Sequence, residues 1–152
     1  VVIFAVYALP SILGYSNERL VLAKKPNNAD ILNNKGLALN DLGNSSEAIT
    51  YFDKALAINP NDTNILNNKG LALNDLGNSS EAITYFDKAL SIKPDNIIAL
   101  NGKGVALNDL GNSSEAITYF DKALSIKPDN IIALNNKNKT LVTLGSMLGK
   151  QK

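Results

Sequence analysis

The chain is 152 residues long with a formal net charge of +1, which provides no bulk electrostatic attraction to nucleic acid or an anionic membrane. It has no cysteine and no histidine. That removes disulfides, thiolate sites and the side chain most used as general base and metal ligand. Asparagine is abundant and Arg19 is the only arginine, a bias that composition alone explains.

Val1 to Leu13 is an uncharged run, apolar on every side for its first nine residues. Gly14-Tyr15-Ser16 and the polar Asn17-Glu18-Arg19 come next. This reads first as the apolar core and cleavage region of a secretory signal, and favours an exported or membrane-anchored chain over a cytoplasmic one. The run is too short for a full membrane span. The alternative is a degenerate half-repeat, in which Ile12, Leu13, Leu20 and Val21 pack on the first full repeat.

Beyond Pro26 one unit dominates. Ile31 to Leu56 returns letter for letter at Ile65 to Leu90 and again, lightly edited, from Ala99 to Leu124, with Gly36, Gly70 and Gly104 spaced 34 apart. A constant period of this size marks a stacked array whose units bury a core only together. Lys25-Pro26-Asn27-Asn28 breaks the chain and supplies cap residues, so a helix is predicted from Ala29 to Leu42. Gly43 stops it in a left-handed turn. Asn44 stands three residues before Glu47, a variant capping box that opens a second helix. There Ala48, Ile49, Phe52, Ala55 and Leu56 form one apolar stripe, and Asn59-Pro60 ends it. The predicted units are 29–62, 63–96 and 97–130. No segment alternates with period two, so no strand is expected. Ile131 to Leu144 reads as a further first helix with Asn138 in the glycine place. Residues 131–152 are therefore expected to be a solvating cap helix and tail, or a truncated fourth unit.

The pattern resembles the tetratricopeptide repeat. With Ala29 as position 1, the family's preferred places hold Leu32, Gly36, Leu39, Ala48, Phe52, Ala55 and Pro60. The second unit supplies Leu66, Gly70, Leu73, Ala82, Phe86, Ala89 and Pro94. The third supplies Leu100, Gly104, Leu107, Ala116, Phe120, Ala123 and Pro128. The resemblance implies an all-α, right-handed superhelical solenoid of helix-turn-helix repeats. Small residues at positions 8 and 20 let paired helices approach, and the aromatic at 24 fills the space between repeats. Two departures stand out. Position 7 is Lys35, Lys69, Lys103 and Lys137, expected to bury the stem and keep the ammonium wet. Position 17, often aromatic, is Ser45, Ser79 and Ser113.

No catalytic constellation emerges. Asp41, Glu47 and Asp53 recur identically in each unit, whereas a catalytic site is normally unique. Lys35-Gly36 lies inside a predicted helix and is no phosphate loop. Asn44, Asn61, Asn78, Asn112 and Asn138 each begin a glycosylation-acceptor triplet. Turn and cap chemistry asks for the same residues in the turns. The chain is thus expected to be no enzyme and to need no cofactor or metal.

The family resemblance implies that first helices line a concave face, with ligand contacts at positions 2, 5, 9, 12 and 13, and 6 in some members. Position 5 is Asn33, Asn67 and Asn101, and position 6 is Asn34 and Asn68 until Gly102 breaks the series before Asn136. Position 9 is Leu37, Leu71 and Val105; position 12 is Asn40, Asn74 and Asn108; position 13 is Asp41, Asp75 and Asp109. An amide donates and accepts, so a ladder of amides can pair with any peptide backbone. This is similar to the Asn ladder of the superhelical repeat domain of O-linked N-acetylglucosamine transferases. It is unlike the carboxylate clamp of chaperone-binding members, which needs Lys and Arg. Each Asp sits in a last helical turn, where a carboxylate opposes the helix dipole at a cost of roughly 0.3–1 kcal/mol. A residue retained against local stability is a candidate for function. The expected partner is a protein or extended peptide carrying some Lys or Arg and small apolar groups, with no nucleic acid and no small-molecule substrate. A regulatory or substrate-delivery segment of a larger enzyme, and head-to-tail self-association of near-identical repeats, are the alternatives.

Overall fold

The computed structural model describes residues 28–149, so the readings made for Val1 to Leu13, Leu20 and Val21 lie outside the described residues. Among the described residues there are seven helices and no strand. They are α1 (Asn28–Asp41), α2 (Ser45–Ile58), α3 (Thr63–Asp75), α4 (Ser79–Ile92), α5 (Ile97–Asp109), α6 (Ser113–Ile126) and α7 (Ile131–Gly149). None of them is long and apolar enough to cross a membrane.

The tight turn inside each repeat is made by the backbone. Gly43, Gly77 and Gly111 adopt φ of 81°, 78° and 82°, a region that a Cβ disfavours. The Gly43 N–H then donates to the Asn40 carbonyl at 2.9 Å and the Asn44 N–H to the Leu39 carbonyl at 2.9 Å. This two-bond C-terminal motif recurs at Gly77-Asn78 and Gly111-Asn112. It corrects the expected capping box. Asn44, Asn78 and Asn112 precede the second helices with ψ of 51°, 52° and 54° and make no side-chain cap bond. Closing the first helix holds these residues out of the extended conformation that a side-chain cap requires. Side-chain capping occurs instead at the turns between repeats. Asp62 accepts from the Asn64 and Ile65 N–H groups at 2.9 and 3.3 Å, and Asn130 accepts from the Ala133 N–H at 2.9 Å.

Consecutive helices pack on one another along the array. First helices also touch the first helices of neighbouring repeats, α1 to α3, α3 to α5 and α5 to α7, while second helices do not reach one another. That asymmetry bends the stack, with first helices on the inner, concave side. The core runs along the seam between the helix layers. Phe52, Phe86 and Phe120 are buried beside Ala48, Ala82 and Ala116. A Cβ on Gly70 would lie 2.7 Å from Cε1 of Phe86, so glycine there lets the ring sit against the helix backbone. On α7, Leu134 and Leu141 hold the places where Leu100 and Leu107 are buried in α5, and both are exposed.

Position 7 corrects a second expectation at Lys69, while Lys35 on α1 stays exposed as expected, with its ammonium over the Tyr51 ring of its own repeat. Lys69 is only 5% exposed, ammonium included. Its Nζ donates to Asp53 of the preceding repeat and, at 2.6 Å, to the Tyr85 hydroxyl, and lies 4.2 Å from the Tyr85 ring centre. Lys103 meets Asp87 and Lys137 meets Asp121, each at 2.6 Å. The ammonium is therefore a staple between repeats. Burial lowers the Lys69 pKa, but the hydrogen bonds to Asp53 and Tyr85 outweigh it, and the net shift is upward from 10.5. Lys103 is raised in the same way, with burial opposed by Asp87 and Tyr119. A raised folded-state pKa contributes stability that is complete below the unfolded value and lost as pH rises through the folded value. Urea midpoints should therefore be flat up to about pH 10 and fall above it. Lys69→Met keeps the stem and leaves behind an Asp53 that is half exposed and can be hydrated, so its stability at pH 7 should stay within about 1 kcal/mol of the parent. Its alkaline decline should be shallower, and identical declines in the two proteins would mean that the Lys69 ammonium does not staple the repeats.

Candidate functional site

The concave face is built from α1, α3, α5 and α7. Helical spacing brings positions 2, 5, 6, 9, 12 and 13 of each first helix toward it. Leu37 and Leu71 are partly exposed and Val105 is half-buried, so an apolar line runs along the face. Asp41, Asp75 and Asp109 are exposed beside it.

The amides at position 12 already have partners across repeats. Asn40 Nδ2 donates to Asp75 Oδ2 at 3.0 Å and Asn74 Nδ2 donates to Asp109 Oδ2 at 2.9 Å. The other end of the amide is held by position 17, where Ser79 Oγ donates to Asn74 Oδ1 at 2.8 Å and Ser113 Oγ to Asn108 Oδ1 at 2.9 Å. A relay from Ser79 through Asn74 to Asp109 thus ties a turn of one repeat to the first helix of the next. This accounts for Ser79 and Ser113 at position 17 and supplies a structural task for Asn and Asp at 12 and 13, whereas in the first repeat Asn40 Oδ1 is buried without a partner. The aspartates remain open to solvent on the same face.

Positions 5 and 6 behave differently along the array. Asn68 Nδ2 donates to Asn33 Oδ1 at 2.9 Å, closing the first pair. Asn34, on α1, is exposed. Gly102 has no side chain to make the equivalent bond to Asn67. Asn67 is 1% exposed; its Nδ2 donates to Asn96 Oδ1 at 3.2 Å and its Oδ1 is buried without a partner. Asn101 is 8% exposed and its Oδ1 is likewise buried and unpartnered. The position-5 side chains therefore do not form a uniform exposed ladder. Burial is deepest on α3 and α5, each flanked by first helices on both sides, and Asn135 on α7 is exposed again.

The face opens into a pocket of about 300 Å³ between α3, α5 and α7. Leu71, Asn74 and Asp75 line it from α3, Ile97, Ile98, Asn101, Gly102 and Val105 from α5, and Ile132 and Asn136 from α7, with Asn130 at the turn. Its outer walls, Ile98 and Ile132, lie at position 2, a place the family resemblance names but at which no residue was singled out from sequence. The signal was present in the change from Asp30 and Asn64 to Ile98 and Ile132 at that place. Among the described residues no three His, Cys, Asp or Glu side chains gather as a metal-binding group.

The tetratricopeptide repeat profile matches residues 29–62, 63–96 and 97–130. The chain belongs to the tetratricopeptide repeat family. No curated protein matches it by sequence. Among solved structures it is similar to the first tetratricopeptide domain of human RPAP3, with 25% identity and a TM-score of 0.76 over 80% of this chain and 95% of that one. The first such domain of Spaghetti (RPAP3) bound to the HSP90 peptide SRMEEVD aligns at 24% identity and TM-score 0.73, covering 78% and 94% of the two chains. YrrB, described as having an unusual peptide-binding site, aligns at 26% identity and TM-score 0.69 over 87% of this chain and 69% of that one.

Proposed function

We propose that this chain is a non-catalytic scaffold that holds an extended, mildly basic peptide along the concave face. The observation that carries the reading is the exposed row Asp41, Asp75 and Asp109 beside the apolar line Leu37, Leu71 and Val105. Lys69 and Lys103 do not neutralise that row, because their ammonium groups are committed to Asp53 and Asp87 of the second helices. Lys139 occupies position 9 on α7, so the acidic character of the face declines toward that end. The absence of chemistry rests on the carboxylates recurring in register, which distributes them evenly and gathers them nowhere.

The peptide complex of the RPAP3 relative supports the class of partner. It does not transfer the peptide: SRMEEVD ends in carboxylates, and a like-charged row repels them. In titrations of the full chain at low salt, a heptapeptide with two lysines should bind and SRMEEVD should not. Neutralising the row as Asp41→Asn, Asp75→Asn and Asp109→Asn together should weaken lysine-peptide binding about fivefold, at roughly 0.5 kcal/mol for each of two exposed pairs. Tighter binding of SRMEEVD than of the lysine peptide would overturn the charge assignment.

A further inference from the structure

We infer that the hollow between Ile98 and Ile132 is an anchor pocket for one branched aliphatic side chain of a bound peptide, placed next to a lysine or arginine that faces Asp75. The inference rests on the proposed peptide groove and deepens it by assigning where one peptide residue is selected.

Three observations converge on the pocket. First, the repeats are nearly identical except here. Ile98 replaces the polar residues Asp30 and Asn64 at position 2, and Ile132 follows it on α7. Isoleucine at position 2 on two successive first helices turns a polar stretch of the face into an apolar hollow, to which Gly102 adds bare backbone because the space its side chain would take is filled by the Phe86 ring. Second, the hollow holds about 300 Å³, at the lower limit of cavities that bind small ligands and enough for one large aliphatic group with its backbone. Ile98 and Ile132 form its outer walls at 54% and 64% exposure, a free apolar surface that a guest would cover. Third, the polar features on the pocket ask for positive charge. No basic residue lines it, and the exposed Asp75 stands among its lining residues. An apolar side chain flanked by a cation describes an extended basic peptide with an aliphatic residue.

The test uses the full chain, isotope-labelled, with acetylated and amidated peptides Lys-Ala-X-Ala-Lys in which X is Ile, Ala or Asp. The Ile peptide should bind about tenfold tighter than the Ala peptide, with amide shifts centred on Gly102, Val105 and Ile132. Ile98→Asn combined with Ile132→Asn alters two exposed side chains, one of them to the residue that Asn64 already provides in the preceding repeat. It should bring the Ile peptide down to the Ala value while leaving the helical melting curve in place.

Equal binding of all three peptides, with shifts elsewhere on the face, overturns the pocket and leaves the groove standing. No shift on any first helix at millimolar peptide overturns both. A synthetic Val1–Leu13 peptide that outcompetes the Ile peptide at the same amides would make the chain's own apolar segment the occupant and overturn the assignment to a partner.

Discussion

Phe86→Ala should destabilise the array by about 3–5 kcal/mol, the range for emptying a buried aromatic site. Phe86 is fully buried in a cluster with Leu66, Leu73, Ala82, Ala89, Ala99 and Ala106, which come from its own repeat and the next. Its ring lies against the backbone of Gly70 in α3 and also of Gly102 in α5. One side chain therefore seals a repeat internally and joins it to its neighbour. In a stack held by nearest-neighbour interfaces, a defect in the middle uncouples the two ends. A loss of this size is a large part of the roughly 5–15 kcal/mol that a whole domain has. For a chain of this length it corresponds to a fall in melting temperature of roughly 10 °C or more. Helical circular dichroism against urea and temperature provides the measurement. A broadened transition with a lowered midpoint is expected, and a loss below about 1 kcal/mol would mean that the ring is not the joint between repeats.

The second large effect is a pair of identical substitutions with opposite signs. Gly104→Ala should destabilise by about 1–3 kcal/mol, the usual cost of overpacking. The new Cβ would lie 2.5 Å from Cε1 and 2.9 Å from Cδ1 of Phe120. That ring is 1% exposed, and Leu107 and Ala116 share its cluster, so it has little freedom to yield. Gly145→Ala lies in α7 with nothing within 4 Å of the new Cβ. Only the backbone contribution remains there, a gain of roughly 0.5–1 kcal/mol for alanine over glycine in a helix. The helix gain is common to both sites, so the difference between the two variants isolates the close approach. If both stabilise, the contact at position 8 is looser than the ring geometry requires.

Much of this molecule was legible before its structure. The 34-residue period, Gly43 and its copies, and the stripe from Ala48 to Leu56 were enough to place the helix pairs and their turns. The burial of Phe52, Phe86 and Phe120 comes from the same register. Each of these is a local pattern, written within a few residues of where it acts. The candidate site was legible as a face and less so as a set of bonds. Leu37, Leu71 and the three aspartates lie on the concave side as helical geometry demands. The tasks of Asn40 and Asn74 were not readable, because their partners Asp75 and Asp109 stand one full repeat and one residue away. Asn74 next to Asp75 in the chain looks like two parallel ladders of ligand contacts. In space it belongs with Asp109 and Ser79, and those bonds appear only when the repeats are stacked.

The lysines show the same division. A lysine at position 7 could be read as amphipathic, its stem buried and its charge in water. Whether the charge stays wet depends on a carboxylate from the preceding repeat, sixteen residues earlier for Asp53 and Lys69. Gly102 is the sharpest case. As a letter it is one interruption in a run of asparagines. In the folded array it leaves Asn67 without the bond that Asn33 receives, and it lets the Phe86 ring of the preceding repeat sit against α5, while Ile98 and Ile132 wall the pocket beside it. Periodicity and turn residues dictate the solenoid because they act through backbone conformation over a few residues. The pairing of side chains on its faces was decided by stacking, because an exact repeat offers every side chain several equivalent partners and only the superhelical offset between neighbours selects one.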